Sequence, residues 1–355
     1  MRLTNLLFTT LLLFVSVFAR SQKSNEFTVL QWNVWQEGTM VPGGYDAIVN
    51  EIVRLKPDFV TFSEVRNYNK TNFTARVCAS LKEKGLSYYS FYSYDTGLLS
   101  KHPITDSLTV FPEKDDHGSI YRLTSSVNGH KVAVYTSHLD YLDCAYYNAR
   151  GYDGSTWKEI PLPASVEEIL KVNVASQRDD AIRLFITQAE KDLAAGYKVI
   201  IGGDFNEPSH CDWIEKNKDM YDHNGFVVPW TVTTLLEEAG FVDSYRKIYP
   251  NPLTHPGFTY PSDNPAKTPE KITWAPKADE RDRTLFSIKA KDWMQGRRSS
   301  SDRKVLLSAH SACRRHPKIS SYCRLMYGQP ITKDCWLRLS VNNISSIYIF
   351  FILYK

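Results

Sequence analysis

The chain is short of the features that mark specialised proteins. Six cysteines in 355 residues are too few for a disulfide scaffold. Glycine and proline number 17 each, which excludes collagen-like and linker-dominated sequences. No apolar run reaches the ~18 residues expected of a membrane span, so no stable membrane insertion is expected. Residues 22–283 contain none of the closely spaced Cys and His pairs that zinc sites use. What remains is ordinary: 43% hydrophobic, 23% charged and 13% aromatic residues, which excludes disorder. The length allows two or three domains at about 100–200 residues each.

The formal charge of +4 is unevenly spread. Residues 284–355 hold 13 basic and three acidic residues, no Glu, and three of the six Cys. The other 283 residues hold 30 basic and 36 acidic ones, so a body of −6 carries a tail of +10. A basic nucleic-acid-binding module would therefore rest on the tail alone.

Arg2, the apolar run Leu6 to Phe18 and the small residues Ala19 and Ser21 read as a secretory signal peptide over residues 1–21. The mature chain is then expected to be secreted or periplasmic, and monomeric. Three Cys in the body, Cys78, Cys144 and Cys211, leave at least one unpaired.

Phe27 to Val34 reads as a buried strand. Asp46 to Leu55 reads as a helix with Ile48, Ile52 and Leu55 on one face, stopped by Lys56-Pro57. Asp58 to Ser63 is a second strand, ending at Glu64. A helix over 73–84 and strands near 87–93, 96–100, 106–111 and 119–127 follow, then a strand from Lys131 to Thr136. Ala175 to Leu193 has the strongest helical spacing, and Lys198 to Ile201 is a strand running into Gly202-Gly203-Asp204-Phe205-Asn206. Asp140 to Pro163 lacks periodicity and reads as an extended loop over a site. Its Tyr146, Tyr147 and Tyr152 either stack on a base or sugar or pack as cover. Strand–helix–strand occurs twice, over 27–63 and 131–201, and predicts an α/β chain of two packed sheets with helices outside.

Four strand ends carry polar groups that are costly to bury without partners: Asn33, Glu64, His138, and Asp204 with Asn206. Convergence of such groups points to a shared ion or polar ligand. Carboxylate and amide oxygens suit a hard cation such as Mg²⁺. A cation beside a carboxylate can polarise a phosphoryl oxygen while the carboxylate orients water, a role that fits Asp204. Asn206 and His138 can donate to the transition state.

The runs Gln31-Trp32-Asn33-Val34-Trp35 and Ser63-Glu64-Val65 resemble the opening of the endonuclease/exonuclease/phosphatase superfamily. Leu98 to Ile104, Ser137-His138-Leu139, Gly202 to Pro208 and Gly257 to Tyr260 resemble its later motifs, in the right order over about 25–283. The resemblance implies a four-layered α/β/β/α sandwich of two packed mixed sheets, the pancreatic deoxyribonuclease-like fold. It also implies Mg²⁺-dependent phosphoester hydrolysis, with Mn²⁺ as the alternative cofactor. By motif, Glu64 would be the main metal ligand with Asn33 beside it, Asp204 would orient the water, and Asn206 and His138 would steady the phosphate. Arg178, on the helix after the loop, is a further candidate for binding the phosphate.

The family's last two motifs are missing: an Arg-Ile-Asp-Phe/Tyr strand whose Asp orients a histidine, and a Ser/Thr-Asp-His. Ala278 to Arg283 leads up to the first, and Ser301-Asp302-Arg303 is the nearest approach to the second. Reading the codons of Thr284 to Gln295 one base earlier permits Asp-Phe-Ile-Phe-Tyr-Lys-Gly-Lys-Gly-Leu-Asp-Ala, with the last three forced. The same shift over Met326 to Trp336 permits Val-Trp-Pro-Thr-Asp-His-Lys-Gly-Leu-Leu. One shift restoring both motifs implies a frame change near Arg283. The expected organisation is a signal peptide, a domain over 22–283 lacking its last strands, and an out-of-frame tail over 284–355.

A phosphorylated small molecule or a nucleic acid is the expected substrate. The acidic body favours a small phosphoester over duplex DNA. Loss of the last two motifs is expected to leave this chain poorly stable and its activity low or absent, and the competing reading is an inactive relative that binds phosphorylated ligands, on the ground of the absent final histidine.

Overall fold

The computed structural model describes residues 26–67, 70–112, 117–156, 158–255, 289–290, 335–341 and 344–351. The expected signal peptide and the candidate frame change near Arg283 lie outside the described residues.

Strands β1 (Glu26–Asn33) and β2 (Phe59–Val65) run parallel, with Trp32 beside Phe62 and Asn33 beside Ser63. Parallel neighbours need a crossover, and helix α1 (Gly44–Leu55) supplies it. Its last turn closes at Lys56, whose left-handed conformation lets its N–H reach Ile52 O at 2.8 Å before Pro57. Helix α2 (Phe73–Glu83) follows, capped by the Asn72 side chain accepting from the Ala75 N–H. Strands β3 (Tyr89–Ser90) and β4 (Asp95–Ser100) complete this half, β3 being much shorter than the strand predicted near 87–93.

In the second half, β5 (Asp106–Phe111), β6 (Gly118–Val127) and β7 (His130–Leu139) form an antiparallel meander. Strand β8 (Lys198–Asp204) lies parallel to β7 and sets His138 directly beside Asp204. Between them run α3 (Ala145–Asn148), α4 (Val166–Asn173) and the long α5 (Arg178–Ala194). Helix α6 (Thr231–Glu238), strand β9 (Val242–Asp243) and helix α7 (Ser244–Ile248) follow.

With β10 (Lys289–Ala290), β11 (Cys335–Val341) and β12 (Ile344–Phe351), the described strands form two sheets. Their orders are β11-β12-β1-β2-β4-β3 and β5-β6-β7-β8-β10-β9, both mixed. Helices α1 and α2 cover the first sheet, packing Ile52, Val77 and Leu81 against Leu30, Trp32 and Phe62. Helices α5 and α6 cover the second, packing Phe185 and Leu236 around Tyr135 and Ile201. The four layers are those that the family resemblance implies.

The seam between the sheets is different in kind from these outer cores. Ser63 Oγ donates to Ser137 O (2.8 Å), and Thr136 Oγ1 to Phe62 O (3.0 Å). Asp204 N–H donates back to Ser63 Oγ (3.1 Å). Small hydroxyl side chains thus satisfy buried polar groups across the two sheets. Gly203 is required beside them, because a Cβ there would lie 2.3 Å from Ser137 O.

The tail supplies backbone where the sequence predicts missing strands. Strand β12 runs parallel to β1, from Glu26 opposite Ser346 to Gln31 opposite Phe351. Strand β10 pairs with both β8 and β9. An edge strand offers unpaired N–H and C=O groups to any extended segment. Pairing there therefore does not depend on the tail's having the family sequence.

The stretch after β7 folds over a core of its own, with Tyr146, Tyr147, Ile169, Trp213 and Trp230 buried. Trp213 packs edge-on to Tyr146 and Trp230, at 6.5 and 5.2 Å between ring centres. Tyr146 and Tyr147 are therefore packed cover. Cys78, Cys144 and Cys211 are all free thiols.

Candidate active site

The carboxyl ends of β1, β2, β7 and β8 meet across the seam. On β2 the ladder to β4 slips between Ser63 and Val65, which leaves Glu64 as the extra residue of a β-bulge with φ of 63°. Bulges re-aim side chains, and this one presents Glu64 to the second sheet. One oxygen or nitrogen from each of Glu64, His138 and Asp204 falls within 4.8 Å of the others, and all three residues are buried. Asn33 bridges the two carboxylates: its Nδ2 donates to Glu64 Oε1 (2.8 Å) and Asp204 Oδ2 (2.9 Å). The Trp35 N–H donates to Asn33 Oδ1 (2.8 Å), which fixes the amide's orientation.

His138 Nδ1 bonds Asp95 Oδ2 (2.8 Å), and Asp95 pairs with Arg66 at 3.2 Å. Burial opposes charging of His138, but Asp95 beside it, with Asp204 and Glu64, outweighs this and raises its pKa above the ordinary imidazole value. Asn206 follows with φ of 48°, its N–H on Asp204 Oδ1 (3.0 Å) and its Nδ2 on Leu139 O (2.7 Å).

Strained backbone surrounds this cluster. Trp35, Gln36, Glu37 and Gly38 form a left-handed turn, with φ of 41°, 56°, 62° and 76° and the Gly38 N–H on Val34 O (2.6 Å). Left-handed conformation costs roughly 1–2 kcal/mol per non-glycine residue. The turn is tied down at the site itself, by the Trp35 bond to Asn33 and by the Glu37 N–H on Glu64 O (3.1 Å). Such strain clusters at functional sites.

The family model for the Endonuclease/Exonuclease/phosphatase family matches residues 30–287. The chain belongs to this family. The uncharacterized protein F14F9.5 of Caenorhabditis elegans is 26% identical over 245 residues, covering 68% of this chain and 72% of that protein. Among solved structures, truncated C. elegans TDP2 gives a TM-score of 0.44 at 16% identity, over 75% of this chain and 84% of that one. D. rerio TDP2 complexed with single strand DNA product gives 0.43 at 16% identity, over 76% and 85%. The human Nocturnin catalytic domain with bound sulfate anion gives 0.42 at 14%, over 75% and 81%. Enzymes of the endonuclease/exonuclease/phosphatase family are in general metal-dependent phosphoester hydrolases.

Five of the six residues singled out in the sequence come together: Asn33, Glu64, His138, Asp204 and Asn206. Asn33 stands beside Glu64 as expected, but it presents nitrogen to the carboxylates and so bridges them instead of offering an oxygen. Arg178 needs correction. It is 1% exposed, and its guanidinium donates to the carbonyls of Asp140 (2.8 Å), Leu142 (2.9 Å) and Asp143 (2.9 Å). Glu207 lies 3.8 Å from its Nε. Those donors are consumed in tying the loop down and are not open to substrate. Asp95, the partner of His138, escaped the sequence reading. An acid one residue before a predicted strand was the signal, and only the antiparallel register brings it to this end.

The residues present fit a divalent cation. Two buried carboxylates converge with an imidazole, an arrangement that a cation compensates. Glu64 and Asp204 are oxygen donors of the kind that Mg²⁺ and Mn²⁺ take.

Proposed function

We propose that this chain hydrolyses a phosphoester using Mg²⁺, or alternatively Mn²⁺, seated at Glu64 and Asp204. The convergence of Glu64, Asp204 and His138 at buried strand ends carries this reading. The cation would supply charge to the phosphoryl oxygens and to the leaving oxygen. Glu64 is held to one orientation by its bulge and by Asn33. Asp204, whose two oxygens already accept from Asn33 and the Asn206 N–H, keeps lone pairs with which to orient a water for in-line attack. With Nδ1 engaged by Asp95, His138 directs Nε2 to the phosphate. Asn206 retains one amide N–H beyond its bond to Leu139 for the same purpose.

Glu64, Asp95 and Asp204 make the pocket end acidic, which supports a small phosphoester over duplex DNA as substrate. The basic n-region and apolar run support secretion or a periplasmic site. A mature terminus near Gln22 in secreted material tests that point, and an intact Met1 would contradict it. The absent Ser/Thr-Asp-His supports the second reading, an inactive relative that binds phosphorylated ligands.

One assay separates the two. The full chain is given bis(p-nitrophenyl) phosphate and phenyl phosphate with Mg²⁺, then with EDTA. Turnover that EDTA and Glu64→Gln both abolish is expected. Phosphate binding without turnover would favour the inactive relative.

A further inference from the structure

A second histidine–aspartate pair lies two rungs beyond His138 and belongs to none of the roles above. Strand β6 sets Ser119 opposite His138 and Gly118 opposite Leu139, so the next rung brings His117 to Asp140. His117 Nδ1 meets Asp140 Oδ2 at 2.9 Å. Two residues along a strand span ~6.7 Å, so the pair stands about that far past His138, just beyond the carboxyl end of β7.

Asp140 is built as an orienting group. Its Oδ2 also accepts from the Gln177 N–H (3.0 Å), and its Oδ1 from the Leu142 N–H (2.9 Å). Arg178 pins its carbonyl at 2.8 Å. A carboxylate this fully held fixes the ring that it bonds. The ring itself is 27% exposed, and Nε2 has no hydrogen-bond partner among the described residues. A carboxylate behind Nδ1 of a partly exposed ring is the arrangement that lets an imidazole carry a proton.

We propose that His117, oriented by Asp140, contacts the bound phosphoester at the pocket mouth and protonates its leaving oxygen. This rests on the phosphoesterase reading. As the water oxygen forms the new P–O bond, its proton passes to Asp204. The bond to the leaving oxygen breaks, and that oxygen takes the Nε2 proton of His117. Phosphate and an alcohol depart, and solvent takes the proton from Asp204 and returns one to His117. The groups that move the protons, His117 and Asp204, with Asp140 behind the ring, all precede the tail.

The test uses the full chain with its histidines labelled at ring carbon Cε1, titrated with inorganic phosphate, with His117→Gln identifying the His117 signal. The signals of His117 and His138 should shift along one saturation curve. A moving His138 with a still His117 overturns the proposal and leaves the phosphoester site standing. If neither moves, the phosphoester reading fails and this step fails with it. In hydrolysis, His117→Gln should lose ~100-fold on an alkyl phosphoester but less than about threefold on a p-nitrophenyl ester, whose leaving oxygen needs no proton. Asp140→Asn should show the same split. Equal losses on both esters, the signature of a merely structural pair, would also overturn it.

Discussion

The two ends of the sandwich treat the same side-chain types in opposite ways. At the end away from the pocket, Asp58 accepts from the Thr28 N–H (2.7 Å) and Oγ1 (2.8 Å) and meets His102 Nε2 at 3.3 Å, with Lys101 4.0 Å away. Burial pushes its carboxyl up, but these contacts outweigh that and hold it below the usual range. At the pocket end, Asp95, Glu64 and Asp204 gather around one imidazole. Both ends pair a histidine with an aspartate, half-buried at the far end and buried at the pocket. One is balanced by its neighbours, and the other is left with an excess of negative charge, which is what a cation and a phosphoester can use.

The comparison breaks most sharply at Glu64 and Asp204. Glu64→Gln or Asp204→Asn should lower turnover by ~10⁴-fold, in the range of lost groups that act only in the transition state. The same variants should melt, metal-free, at the same or a higher temperature than the parent, since they remove like-charge repulsion. A large drop in melting temperature would show that these carboxylates are structural, like Asp58.

Arg178→Met comes next. It strands Glu207 and three loop carbonyls, and should cost about 3–5 kcal/mol in urea unfolding. Retention of full stability with a raised KM would restore Arg178 as a substrate ligand. Asp58→Asn should cost only about 1–2 kcal/mol and leave kcat unchanged. A fall in kcat would mean that the two ends are coupled.

The last difference is in the pH dependence of stability, where the two ends differ in sign. Burial pushes the Glu207 carboxyl up to about 7, against the pull of Arg178, Asn173 and the Val232 N–H. Between the ordinary value of 4.5 and about 7 the folded chain keeps a proton that the unfolded chain has lost. Its stabilisation is therefore full below that window and gone above it. Asp58 is depressed, so its stabilisation is present above the ordinary value of 3.8 and lost as the pH falls. Urea midpoints from pH 3 to 8 should lose the neutral-side decline in Glu207→Gln and the acid-side decline in Asp58→Asn. An unchanged profile in either variant would show that the residue does not set the pH dependence.

Much of this was legible beforehand because parallel strands end together. Asn33 and Glu64 close one strand–helix–strand unit, and His138 and Asp204 close the other, so hydrophobic runs alone delimit all four. What escaped depends on antiparallel register, which periodicity does not carry: Asp95 opposite Val65, and His117 beyond Gly118. Arg178 misled because an arginine in a helix's first turn near a polar loop looks like an anion ligand. Its burial follows from how the loop after β7 folds, which sequence spacing does not reveal.

The polar seam has one more consequence, for assembly. Glu64 and Asn33 come from a continuous stretch that ends at Ser100, and His138, Asp204 and Asn206 from one that begins at Asp106. Neither stretch holds a pocket by itself. The pocket comes into being when the two docking faces meet and the Ser63 hydroxyl finds Ser137. A cation captured there rewards that docking, so the ion that serves the chemistry also acts as a latch between two independently patterned halves of the chain.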